Sequence, residues 1–165
     1  MSEFDTILHN SLQGVTVGFE QAVEDLNSLV GELSQAVQKA LQPIRTKLRL
    51  EPLHENADEA VFRLELLVMK QKNGPPPLRG DAVGDYHVTH KGYPVSAGSW
   101  DRRLVHRAFP PVVVAGWDSS GGFTVAEILN NKVDLENHFK KMLANPSSAL
   151  VTQIAFHRRQ QKSSA

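Results

Sequence analysis

The sequence predicts an α+β fold: a long N-terminal helix, a mainly antiparallel sheet of about five strands, and a C-terminal helix followed by a final strand. Over residues 4–41 apolar residues recur every three or four positions, which is typical of an amphipathic helix. From residue 44 they alternate with polar residues, as in half-buried strands. We therefore predict an acidic helical arm over residues 1–42, an α+β body over residues 43–158 and a frayed basic tail over residues 159–165.

The arm carries a continuous apolar seam, which we take as its interaction face. An unbroken helix over residues 4–41 would be about 57 Å long, whereas a compact chain of this size is roughly 40 Å across. Gly14 and Gly18 interrupt the seam and each cost about 1 kcal/mol relative to Ala. We therefore expect the arm either to kink near Gly14–Gly18 or to project beyond the body and bind a partner. The predicted face consists of Leu8, Leu12, Val15, Phe19, Leu26, Val30, Leu33 and Val37.

The body begins with two alternating segments that predict an antiparallel hairpin, because a polar connection rich in turn formers separates them. Pro43 ends the preceding helix by restricting the backbone of Gln42. Further strands are expected after the hairpin, with the last one following the C-terminal helix. The predicted strand segments are 44–50, 62–68, 86–90, 95–97, 112–115 and 150–156.

Helix capping signals occur in the last third of the chain. Thr124 and Glu127 have the spacing of a capping box. Asp134 can cap a helix that continues through Ala144, and the following Asn145-Pro146 would stop it.

Charge is distributed unevenly along a chain that is neutral overall, with 18 basic and 18 acidic residues. Residues 1–42 contain one base and six acids, whereas residues 71–165 contain twelve bases and seven acids. Because the charges balance, the chain has no net positive field that would attract nucleic acid or an anionic membrane. The chain has no cysteine, and it lacks an apolar run of about 18 residues. We therefore expect a cytoplasmic protein that binds neither nucleic acid nor membrane.

Two clusters could bind small ligands. Asp85, His87 and His90 contain donor groups for a metal, but on a strand His90 points away from the other two. We therefore favour ordinary sheet histidines there and predict no cofactor. Trp100 precedes a basic group of Arg102, Arg103 and His106, whose guanidinium groups suit phosphate or carboxylate.

The sequence favours a non-catalytic function. It lacks a Gly-x-Ser-x-Gly elbow, a His-Glu-x-x-His helix and a phosphate-binding Gly-Lys-Ser/Thr. We therefore predict a protein–protein interaction or assembly component that uses the N-terminal helix to bind a protein partner or another copy of itself. A parallel coiled coil would place two acidic arms side by side. Docking on a basic surface in residues 71–165, of the same chain or of a neighbouring one, is therefore favoured.

Two other functions stay open from the sequence alone. One is a small anionic-ligand-binding or enzymatic domain that uses either of the two clusters. The other is an immunity-, antitoxin- or chaperone-like partner of one specific protein, which composition cannot separate from a general assembly component.

Overall fold

The α+β class is confirmed by the fold of the chain, obtained as a computed structural model. The structure describes residues 2–56, 59–69, 79–90, 112–118, 127–129 and 131–163. The elements are, in order, α1 (Glu3–Leu41), β1 (Thr46–Glu55), β2 (Glu59–Val68), β3 (Asp81–His90), β4 (Val112–Asp118), β5 (Glu127–Leu129), α2 (Lys132–Ala144) and α3 (Ala149–Ser163). β1, β2 and β3 form a long antiparallel sheet, which β4 and then β5 extend.

The N-terminal helix α1 is continuous. It begins with a capping box in which the Ser2 hydroxyl accepts from the backbone of Asp5 and the Asp5 carboxylate accepts from the backbone of Ser2. It passes through Gly14 and Gly18 without interruption and ends at Leu41, before Pro43, as predicted. Its 39 residues correspond to a length of about 58 Å.

One face of the sheet is covered by the three helices. α1 packs mainly on β1, α3 contacts β3, and α2 contacts β5 and both other helices. Apolar side chains of the sheet alternate toward this layer and meet the inward faces of the helices, so that one core is formed. Its members include Leu26, Leu33, Val37 and Leu41 of α1, Leu48, Phe62, Leu64, Leu66, Tyr86 and Val88 of the sheet, and Leu135, Phe139, Met142 and Leu150 of the C-terminal helices.

The outer edge of β1 is protected by side chains of α1. The Ser34 hydroxyl accepts a hydrogen bond from the backbone N–H of Leu48 at 3.0 Å. The Gln38 amide accepts from the N–H of Thr46 at 2.6 Å and donates to the carbonyl of Ile44 at 2.8 Å. These bonds satisfy edge groups that would otherwise face solvent or another strand. They also fix the C-terminal half of α1 against the sheet.

Helix α2 is anchored by a buried aromatic contact. The Tyr86 hydroxyl lies 2.9 Å from Nε2 of His138, and the two rings meet edge to face. Gly116 of β4 leaves room for the Tyr86 ring, because a Cβ at that position would lie 2.5 Å from Tyr86 Cε1.

The structure corrects the predicted final strand, because residues 149–163 form α3. Leu150, Thr152, Ile154 and Phe156 alternate, but Leu150 and Ile154 also share one face of a helix. Ser148 favours the helix, because its hydroxyl accepts from the backbone N–H of Val151 at 3.3 Å, as an N-cap does. The segment predicted as a frayed tail is helical as far as Ser163.

Two smaller predictions also change. Glu127 was expected to close a capping box, but it is the first residue of β5. The cap of α2 is Asn131, whose side chain accepts from the backbone of Asp134 at 2.9 Å, and the helix ends at Ala144 as predicted. The strand predicted over residues 95–97 lies outside the described residues.

Candidate functional site

The two ends of α1 have very different surroundings. From Leu26 to Leu41 the seam residues are buried in the core; we call residues 26–41 the packed half. Residues 3–18 contain no buried side chain, and we call them the projecting half. Phe4 is 84% exposed, and Leu8 and Leu12 are each 59% exposed. The helix therefore buries one end of its apolar seam and leaves the other end exposed.

The open part of the seam continues the buried part on the same side of the helix. At 100° per residue, Phe4, Leu8 and Leu12 lie within about 40° of the direction of Leu26. Val15 and Phe19, which are half-buried, lie in the same direction and bridge the two halves. The apolar stripe therefore extends past the edge of the body without changing direction.

The projecting half has little intrinsic stability as a helix. Gly14 and Gly18 each cost about 1 kcal/mol relative to Ala. Val15, Thr16 and Val17 are all β-branched, which further lowers helix propensity. Isolated helices of this length are marginal in water. Residues 3–14 are all exposed, so burial in the core adds little to the stability of this end of the helix. A docking partner would supply the missing stabilisation.

The formal charges of α1 are all negative except one. Its only base is Lys39, near the C-terminal end, and residues 6–19 carry no acid, lysine or arginine. Glu3 and Asp5 precede this neutral stretch, and Glu20, Glu24 and Asp25 follow it. Among the described residues, no ion pair joins an α1 acid to the body. The open stripe is therefore apolar, with acidic groups at both ends.

The predicted interaction face divides into two sets. Leu26, Val30, Leu33 and Val37 belong to the core of the chain itself, so they are occupied within the molecule. Leu8 and Leu12 are open, while Val15 and Phe19 are half-buried. Sequence reasoning missed Phe4, although its spacing of four from Leu8 was the available signal.

The sheet face opposite the helices carries charged residues in cross-strand pairs. Arg49 of β1 contacts Glu65 of β2 at 2.6 Å, and Arg63 of β2 contacts Asp85 of β3 at 3.0 Å. The bond to Asp85 raises the pKa of Arg63. Opposite charges directly across a ladder stabilise the pairing of the strands. Asp85, a candidate metal ligand, is therefore engaged by Arg63.

A buried acid, Glu59, lies at the end of this face, although it falls in the predicted polar connection between strands 44–50 and 62–68. Glu59 is the first residue of β2 and is 2% exposed, next to His87, which is 0% exposed. Oε1 of Glu59 lies 3.6 Å from Nε2 of His87 and 3.8 Å from Nε2 of His54. Burial lowers the pKa of His87, although the charge of Glu59 opposes this. Both groups are closed to a dissolved substrate.

The candidate ligand clusters receive no further support from the described part of the chain. There, no group of three histidine, cysteine, aspartate or glutamate residues is arranged to hold a metal ion. The His90 side chain is not among those described, and Trp100, Arg102, Arg103 and His106 all lie outside the described residues. Within the same limits, none of the helices combines the length and apolarity needed to cross a bilayer.

Comparisons with models of known families, with curated proteins and with solved structures returned no match. The function must therefore be inferred from the residues and geometry of the chain itself.

Proposed function

We propose that this protein is a non-catalytic interaction or assembly component of the cytoplasm, and that the projecting half of α1 is its docking element. The observation that carries the proposal is the open apolar stripe headed by Phe4, Leu8 and Leu12. Contiguous exposed apolar side chains of this kind are typical of protein interaction sites. An amphipathic helix that lies in a groove is a common way to use them.

The way in which α1 is anchored to the sheet supports the proposal. The packed half anchors α1 to β1 through Ser34 and Gln38, so the projecting half extends from a fixed base. Pre-organisation of this kind lowers the entropic cost of binding. Gly14 and Gly18 weaken the free helix, so part of the binding free energy is spent on ordering the projecting half.

A photo-crosslinking experiment tests the proposal without assuming the partner. A photoreactive amino acid is placed at position 8 or 12 of the full chain, on the apolar stripe, and at position 10 or 13 as matched controls. Asn10 and Gln13 lie on the opposite side of α1. In cells that produce the protein at its natural level, we expect a discrete crosslinked species from positions 8 and 12 only.

Two results would contradict the docking role. One is the absence of crosslinks from positions 8 and 12. The other is equal labelling from both sides of the helix, since a helix in a groove presents one face to its partner. Discrete products from the stripe, whether with a second copy or with another protein, support the proposal.

A further inference from the structure

We infer that the partner is a second copy of this chain, and that the projecting half of α1 docks on the exposed face of α3 of that copy. This inference rests on the proposed docking function of α1. It adds the identity of the partner and the surface that the partner presents.

The first reason is charge. The arm is acidic at both ends of its neutral stretch and has no base before Lys39. Helix α3 has the opposite character, with Arg158, Arg159 and Lys162 and no acid in its sequence. A basic helix attracts the acidic arm, and such complementarity gives an interface its specificity.

The second reason is that α3 has its own exposed apolar residue beside its bases. Phe156 is 44% exposed. Thr152, Phe156 and Arg159 are all exposed, and their spacing of four and three places them on one face of the helix. This face offers an aromatic contact to the stripe and a guanidinium to the acids that flank it.

The third reason is distance, which excludes docking within one chain. α3 lies near the C-terminal end of α1, because Nε2 of Gln161 donates to the carbonyl of Gln42 at 3.3 Å. Leu8 lies 34 residues before Gln42 on a continuous helix, which is about 51 Å along the axis. The arm therefore cannot reach the α3 of its own molecule. A second copy can present the same surface to it.

Pairing of one arm with another is disfavoured by the same charges. In a parallel pair Glu3 and Asp5 would meet their own counterparts. In an antiparallel pair centred on the neutral stretch they would approach Glu20 and Glu24 of the other arm. Like charges at these positions oppose association. The contact between arm and α3 joins two different surfaces. Two copies can each place their arm on the α3 of the other and form a dimer, or the contact can continue into larger assemblies.

A complementation experiment tests this assignment. The arm variant is Leu8→Asn/Leu12→Asn, and the α3 variant is Phe156→Asn/Arg159→Glu. All four positions are exposed, and circular dichroism and urea unfolding establish that each variant is folded. Sedimentation equilibrium is measured for the unaltered chain over a wide concentration range at low and high salt.

We expect the unaltered chain to associate and its dissociation constant to rise with salt, because screening weakens the charge attraction. Each variant alone should have a dissociation constant about tenfold higher or more. An equimolar mixture of the two variants should regain association, because it combines one intact arm with one intact α3. Recovery in the mixture is not expected from arm–arm pairing.

Other outcomes overturn the inference. Association that survives in the α3 variant but not in the arm variant indicates arm–arm pairing. A chain that stays monomeric at every concentration excludes a second copy as the partner. If positions 8 and 12 still form crosslinks with another protein, the docking function stands and only this inference fails. If they form none, both fail.

Discussion

The packed and projecting halves of α1 share one helix, one seam and one direction of the apolar stripe, yet only one half is buried. Leu26 is inaccessible to solvent, whereas Leu12, about four turns earlier on the same stripe, is 59% exposed. Their local sequences do not explain this difference, because both segments repeat apolar residues every three or four positions. The difference lies in tertiary packing, because in the part of the chain that the structure describes the core buries the seam of residues 26–41 and leaves residues 3–14 exposed.

The comparison shows that helical periodicity identifies an apolar face but not what that face packs against. In the packed half the occupant is the chain's own sheet, with β1 bonded to Ser34 and Gln38. In the projecting half, the docking function that we propose assigns this role to another molecule. An amphipathic helix gains most of its stability from what it packs against, so the two halves should respond differently to equivalent substitutions.

The largest expected contrast is between Leu26→Ala and Leu12→Ala. Leu26 is fully buried, so its truncation should lower the free energy of unfolding by about 2–5 kcal/mol. The same change at Leu12 should alter it by no more than about 0.5 kcal/mol. Urea unfolding of dilute protein measures both, since dilution removes any contribution from association. Equal losses in the two variants would mean that the halves are equally packed.

Lowering the pH should reduce the free energy of unfolding through His87, which lies in the sheet that the packed half covers. Burial lowers the pKa of His87 below its unfolded value, so the unfolded chain binds a proton more readily than the folded one. Stability should therefore be full above the unfolded pKa and decrease as the pH falls below about 6.5, by up to about 1.4 kcal/mol per pH unit.

Urea midpoints measured across this pH range test the acid prediction. The variant His87→Gln should show a shallower dependence on pH than the unaltered chain, whatever its overall stability. Identical slopes in the two proteins would show that His87 is not the group responsible.

Hydrogen bonding to the sheet edge distinguishes Ser34 from Ser11, an exposed serine of the projecting half. Ser34→Ala leaves the backbone N–H of Leu48 without its partner and should cost about 1–2 kcal/mol. Ser11→Ala should cost nothing, because Ala has the higher helix propensity. The two midpoints in urea give the comparison directly. A loss at Ser11 as large as that at Ser34 would indicate a contact of the projecting half with the body.

The smallest effect is expected from the glycines. A Cβ at Gly31 or at Gly14 would meet nothing within 4 Å, so alanine fits at both positions. Gly31→Ala should raise the free energy of global unfolding by up to about 1 kcal/mol. Gly14→Ala should instead slow amide hydrogen exchange in residues 6–18 without changing global stability, because a helix end opens locally. A rise in global stability from Gly14→Ala would show that the halves unfold as one unit.

Features that depend on interactions between residues close in sequence were predicted correctly, and features that depend on distant contacts were not. The extent of α1 and the antiparallel hairpin depended on local periodicity and on Pro43, so they were predicted correctly. The C-terminal segment was predicted as a strand because Leu150 to Phe156 alternate, although Leu150 and Ile154 also suit a helix. Glu59 was assigned to a loop, since nothing local indicates that β2 begins there and buries its carboxylate beside His87.

The sequence by itself determined the seam of α1, its acidic charge, and the fact that an unbroken helix would be too long for the body. These properties follow from residue spacing and formal charge, which need no knowledge of distant contacts. Only the tertiary structure decided that Leu26, Val30, Leu33 and Val37 are used within the molecule while Leu8 and Leu12 remain open. The reason is physical: burial depends on which residues far apart in sequence pack against the helix, and among the described residues they cover only its C-terminal half.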